Sequence, residues 1–264
     1  MNKLKVTAIN FYKIGQQHAS IPEHLTQKLY NFFASYYHVT NQDDFQQIIL
    51  CPEEKGELIV HYGINQDIAA FSRTFNQEVL VGKKQVTIYL ALIYLNPEYS
   101  ACPTVAGAGL TEAIKYKLKN PHEELIYVAC ADNPLTYEFI SQLSDSIYPK
   151  PSQRVPDQIL TVINALKKQN GWISTNNHPM VINSHFIPVR NQLLNMHDDG
   201  SELNEFYLSA NPDYIQGNSL LVYIPLHLAN ISYGLNHQDS SYCGTLDHAQ
   251  NQGFQDGVSS ELQA

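Results

Sequence analysis

Ten residues constrain this chain more than any others: Val86-Thr87-Ile88-Tyr89-Leu90-Ala91-Leu92-Ile93-Tyr94-Leu95. Apolar side chains occupy both alternating faces of the run. A strand formed there must be covered on both sides and sit in the middle of a sheet. After it come the small residues Thr104-Val105-Ala106-Gly107-Ala108-Gly109, then Leu110, Ala113, Ile114 and Leu118 at helical spacing, with a stop at Asn120-Pro121. The pattern predicts a helix from about 109 to 119. A second buried-type strand follows at Leu125 to Ala131 and ends in Asp132-Asn133-Pro134. A small-residue loop that opens a helix is suited to holding an anion. Its free N–H groups point outward, the helix dipole favours negative charge, and Gly107 and Gly109 carry no Cβ to block the approach. The segment therefore predicts a site for a pyrophosphate.

The flanking segments fill in a mixed α/β pattern. Val6 to Tyr12 reads as a strand, and Ser20-Ile21-Pro22-Glu23 has capping-box spacing ahead of Leu25, Leu29, Phe32, Phe33 and Tyr36. This predicts an amphipathic helix over 22–37. A shorter helix is expected over 42–50, ended by Cys51-Pro52. Strands are expected over 57–62 and 68–75, the latter with a continuation or bulge near Val79-Leu80-Val81. A helix beside Pro134 covers Leu135 to Leu143. Pro156 opens another, closed by Gly171. Met180–Ile182, Phe186–Val189 and Leu220–Pro225 read as further strands, and residues 236–264 read as a polar, disordered tail.

Composition limits the functional classes. The 264 residues carry a formal charge of −9 and no Lys/Arg cluster. A general affinity for nucleic acid or anionic lipid is not expected. Cys51, Cys102, Cys130 and Cys243 lie far apart and lack zinc or disulfide spacing, so no metal is expected. No N-terminal apolar stretch or 20-residue apolar run is present, which makes a soluble, cytoplasmic protein the expectation.

The order strand, two helices, three strands, glycine-bearing loop, helix, strand, helix resembles the GCN5-related N-acetyltransferase (GNAT) superfamily over residues 4–150. Its anchors are Leu95-Asn96-Pro97-Glu98-Tyr99, the Thr104–Gly109 segment and Asn133. The resemblance implies a mixed, mostly antiparallel central sheet flanked by helices, and acetyl-CoA (or another acyl-CoA) as co-substrate. It implies that Thr104, Val105, Ala106, Gly107, Ala108, Gly109 and Leu110 face the diphosphate, and that Ile93, Tyr94 and Leu95 bind the pantetheine arm. Asn133 would position the arm or thioester. Tyr137 is the implied proton donor, and His61, Tyr94 and Glu98 are candidate bases. Thr104 stands where the family has Arg or Gln, and Ser100-Ala101-Cys102-Pro103 lengthens the junction before the loop.

The expected activity is acyl transfer to the amine of a small molecule, peptide or protein, directly within a ternary complex. Two other readings stay open. One is a non-catalytic GNAT-like binding module. The other is a dinucleotide or S-adenosylmethionine site, in which Asp132 would bind ribose hydroxyls. The division expected is 1–150 as the acyl-CoA domain, 151–235 as an extension and 236–264 as the tail. Phe186, Arg190, Phe206 and Tyr207 in the extension are spaced to line an acceptor pocket.

Overall fold

The computed structural model describes residues 4–15, 21–99, 102–175, 177–183, 187–189 and 200–227. Strand β1 (Val6–Ile14) leads to helix α1 (Glu23–Tyr36), helix α2 (Gln42–Phe45) and a wide helical turn, Gln46–Leu50. Strands β2 (Gly56–Gly63), β3 (Ile68–Val81) and β4 (Lys84–Leu95) form a meander. Helix α3 (Cys102–Lys119) carries the chain to β5 (Leu125–Ala131), and α4 (Pro134–Ser141) and α5 (Asp157–Asn170) come next. The short strands β6 (Ile173–Ser174) and β7 (Val181–Asn183), helix α6 (Glu202–Ala210), a tight turn at Tyr214–Gln216 and β8 (Asn218–Pro225) complete the described chain.

Among the described residues eight strands make one sheet in the order β1-β2-β3-β4-β5-β8-β7-β6. Only β4 and β5 run parallel, joined by the α3 crossover that parallel neighbours require. The other pairs are antiparallel. The fold is a mixed, mostly antiparallel sheet with helices on both faces. The run Val86–Leu95 is its central strand, as its two apolar faces require.

The pleat sorts the core into two sides. Leu58, Val60, Tyr62, Ile68, Phe71 and Tyr94 pack with Leu25, Leu29 and Phe33 of α1 and with Phe45 and Ile49. Thr74 has the opposite parity to Phe71 on β3 and meets Gly109 of α3, so α3 covers the other face. Among the described residues no helix is long and apolar enough to cross a membrane.

Four local features differ from the sequence expectations. Helix α3 begins at Cys102 rather than near 109, because Ala-rich and Gly-containing residues continue the turn instead of forming a loop. Helix α1 starts at Glu23 with Pro22 at its cap position and no side-chain cap bond; Ser20 lies outside the described residues. Helix α6 was not anticipated. Residues 187–189 form an isolated bridge to Tyr37 rather than a strand. Strand β8, from the extension expected over 151–235, pairs with β5 from Ile126 to Ala131. The expected tail, 236–264, and the expected pocket residues Phe186 and Arg190 lie outside the described residues.

Candidate functional site

The ladder between β4 and β5 stops at Leu92 opposite Cys130. Strand β4 continues to Leu95, bonded only to β3, where Leu95 pairs with Ala70. Strand β5 ends at Ala131, paired with Leu220 of β8. The two parallel strands thus part at their C-terminal ends. The alternation set by Thr87 N–H to the Glu124 carbonyl and Asn96 N–H to the Ala69 carbonyl turns the Tyr94 peptide groups toward β3. It leaves the Ile93 carbonyl and the Leu95 peptide groups without a ladder partner on the β5 side. Unpaired strand edge of this kind seeks hydrogen-bond partners, from water or from a ligand.

Asp132 stands at the mouth of this notch, one residue beyond β5. Its position follows from local sequence: Asn133 is the N-cap of α4, accepting from the Thr136 amide at 2.9 Å, and Pro134 takes the first helical position. The Asn133 amide nitrogen donates to Asp132 Oδ1 at 2.7 Å, and the Thr136 hydroxyl lies 3.5 Å from the same oxygen. The Tyr37 hydroxyl, from the end of α1, donates to Asp132 Oδ2. Tyr94, Cys130 and Tyr207 complete the surroundings. Asp132 keeps part of its surface accessible. Burial pushes its carboxyl pKa up to about 6, and the bonds from Tyr37, Thr136 and Asn133 pull the other way. A carboxyl tuned in this way can accept a proton near neutral pH.

Helix α6 supports the site from the far side. The Tyr207 hydroxyl donates to the Ala131 carbonyl at 3.1 Å, and Asn211 donates to both Tyr207 Oη and the Asn218 carbonyl. Tyr207, expected to line an acceptor pocket, is fully buried. It braces the end of β5.

The other sequence-derived candidates lie as follows. Gly107, Ala108, Gly109 and Leu110 are in the second and third turns of α3, as part of a helix that starts at Cys102. Their amides, and that of Ala106, are consumed by bonds to the preceding turn. The first-turn amides of α3, which the helix's own ladder does not use, are those of Cys102 and Thr104, Pro103 having none. Val105 sits between these two groups. Gly109 faces Tyr127 and Thr74 of the sheet rather than open space.

Tyr137 is fully buried, and its hydroxyl donates to the Pro149 carbonyl at 2.9 Å. Burial raises its pKa to about 12. His61 is completely buried on β2, and neither ring nitrogen has a partner among the described residues. Burial depresses its pKa to about 4. Glu98 is exposed in the turn after β4, where its carbonyl accepts from Leu4. Tyr94 is buried beside Tyr37 and Phe33, and its pKa is raised by burial and by Asp132. The structure thus gathers Tyr94 and Asn133 around the notch with Tyr37 and Asp132. From sequence, Asp132 has only the ribose-ligand role of a dinucleotide or S-adenosylmethionine site. Its signal as a proton acceptor was the Asp-Asn-Pro junction after a buried strand. Tyr37 gave no signal, being one of 17 tyrosines.

No protein-family model and no curated protein sequence matches this chain. Solved structures do resemble it. A conserved protein from Enterococcus faecalis V583, described as a "Probable N-Acyltransferase", is 12% identical with a TM-score of 0.35, over 52% of this chain and 32% of the other. The match thus spans about a third of that protein's length. An N-acetyltransferase from Staphylococcus aureus Mu50 is 11% identical with a TM-score of 0.32, over 53% and 83% of the two chains. Malonyl-CoA decarboxylase from Rhodopseudomonas palustris is 8% identical with a TM-score of 0.38, over 88% and 63%. Strand order, pairing and the α3 crossover define the fold class.

Proposed function

We propose that the protein is an acyl-CoA-dependent N-acyltransferase with Asp132 as its proton acceptor. The observation that carries this reading is the tuned carboxyl of Asp132 at the point where β4 and β5 part. The residues fit an acyl-CoA. The Ile93 carbonyl and the Leu95 peptide groups are open to an extended amide-bearing arm, and the α3 first turn offers amides and a dipole to a diphosphate. The co-substrate supplies an activated thioester acyl group.

The chain's own residues supply orientation and proton handling. The Leu95 N–H of β4 at the notch would polarise a carbonyl held against the strand. Asp132, largely ionised above pH 6, takes the proton from an acceptor ammonium and leaves a neutral amine with a free lone pair. The nitrogen–carbon bond then forms as the carbon–sulfur bond breaks, and the proton that the nitrogen sheds on becoming an amide is taken up by the leaving thiolate. Alignment of the two substrates provides most of the rate gain. The Asp132 carboxylate also favours a cationic acceptor, such as a primary amine of a small molecule or peptide.

Calorimetric titration with acetyl-CoA and a thiol-release assay over a panel of primary amines test this reading. Binding with turnover on at least one amine is expected. Asp132→Asn should lower turnover about 10²–10⁴-fold while acetyl-CoA affinity stays within about threefold. No acetyl-CoA binding would remove the proposal. Binding without turnover on any amine would favour the non-catalytic module.

A further inference from the structure

We propose that Tyr37 is a positioning residue that aims Asp132 and sets its readiness to accept a proton, and that residues 187–189 hold Tyr37 in place. The role in a reaction rests on the transferase reading above; the physical coupling does not. Tyr37 is where α1 stops. Its backbone is extended, with φ −132° and ψ 144°, and its N–H still bonds to the Phe33 carbonyl. No glycine ends this helix. Instead the chain turns directly into a bridge with Pro188, flanked by two bonds: His38 N–H to the Ile187 carbonyl and Val189 N–H to the Tyr36 carbonyl, both 2.8 Å. The second bond satisfies a helix-end carbonyl that would otherwise need water.

The side chain is fixed as firmly as the backbone. The ring stacks on Phe33 at 4.8 Å with a 22° interplanar angle and meets Tyr94 edge-on at 5.6 Å. Tyr37 is only 4% exposed. Two aromatic walls leave the hydroxyl one direction, toward Asp132 Oδ2. A backbone pinned from one part of the chain and a hydroxyl delivered to another make Tyr37 the link between them.

The other groups facing Asp132 cannot replace it. Tyr94 on β4, Cys130 on β5 and Tyr207 on α6 are hydroxyl or thiol groups whose pKa values are raised, so all are neutral at pH 7. Asn133 donates to the other carboxyl oxygen, and Thr136 reaches it only at 3.5 Å. No cationic side chain acts on Asp132 among the described residues. A donor to the charged carboxylate favours that form. Without the Tyr37 hydroxyl, Asp132 should stay protonated to higher pH.

The test is a carbon-13 NMR titration of Asp132 from pH 4 to 8.5, assigned by comparison with Asp132→Asn. Tyr37→Phe should move the Asp132 midpoint upward by about one pH unit. It should move the acid limb of kcat/KM equally, with KM for acetyl-CoA unchanged. Pro188→Gly, which loosens the bridge but keeps the hydroxyl, should give a smaller shift of the same sign. If Tyr37→Phe does not fold, the wild-type Tyr37 Cζ resonance serves instead: it should shift with the Asp132 midpoint. An unmoved Asp132 midpoint in Tyr37→Phe, or a flat Cζ resonance, overturns the inference whatever the activity. A shift in a protein that transfers no acyl group upholds Tyr37's control of Asp132 and overturns the transferase reading alone.

Discussion

Gly109 lies so close to Tyr127 that a Cβ added to it would stand 3.0 Å from the tyrosine oxygen, and 3.1 Å from Thr74 Cγ2. The glycine lets α3 approach the sheet over a bulky, fully buried ring. The Tyr127 hydroxyl itself has no hydrogen-bond partner among the described residues. Gly109→Ala should therefore cost about 1 kcal/mol, the clash outweighing the helical preference of alanine. Tyr127→Phe removes both the nearest obstruction and an unsatisfied oxygen. In that background Gly109→Ala should be close to neutral. A urea double-mutant cycle should give a coupling of about 1 kcal/mol; additive effects would show that the contact does not limit the packing.

His61 and Asp132 respond oppositely to acid. The His61 pKa falls to about 4 on folding, from its ordinary 6.5. Its contribution is intact above pH 6.5 and is lost as pH falls toward 4, to a total of about 3 kcal/mol. Asp132 rises to about 6 from 3.8. Its contribution is intact below pH 3.8 and is lost as pH rises through 6, to a similar total of about 3 kcal/mol. Between pH 4 and 6 the two slopes nearly cancel. Relative to wild type, His61→Leu should gain stability on acidification over that window, and Asp132→Asn should lose it. Urea midpoints measured at half-unit intervals would reveal both trends.

Asp132→Asn makes a second, separable prediction. A carboxylate held in a site that disfavours its charge is a local cost carried for function. At pH 7.5 the neutral amide should raise the melting temperature by several degrees while turnover falls. A lower melting temperature would mean that the carboxylate bonds from Tyr37 and Asn133 matter more for folding than the charge they hold.

Arg73 gives the strongest stability prediction. It is fully buried on β3, and its guanidinium donates to the carbonyls of Leu50 at 2.7 Å and Cys51 at 3.2 Å, and to those of Glu54 and Thr74. It also lies 4.2 Å from the Phe75 ring centre. Burial lowers its pKa only to about 10, so it remains charged at neutral pH. Arg73→Met should orphan the carbonyls of the turn at 50–54 and cost about 3–5 kcal/mol by urea denaturation. Arg73→Lys should recover little, because an ammonium lacks the planar fork that serves several carbonyls at once.

The elements most legible from sequence were those whose pattern repeats locally. Leu25, Leu29 and Phe33 mark one buried stripe of α1. The doubly apolar runs at 86–95 and 125–131 became adjacent central strands. The Thr104–Gly109 segment misled because small residues suit both a loop and a helix packed tightly on a sheet. Only the height of α3 above Tyr127 separates the two. Tyr137 shows a different limit of local pattern. Its position on α4 was as expected, but its hydroxyl is taken by the Pro149 carbonyl, twelve residues further along the chain.

Sequence alone determined the central strand, the helix-strand alternation around it, the family resemblance and the Asp-Asn-Pro helix start that fixes Asp132 in space. These depend on period, caps and turn chemistry, all set within a few neighbouring residues. The tertiary structure decided which groups surround that carboxyl. Tyr37 is 95 residues from Asp132 along the chain, and Tyr207, which holds the end of β5, is 76 residues from Ala131. The pKa of a buried acid reflects desolvation and contacts, and both exist only after distant segments have packed together.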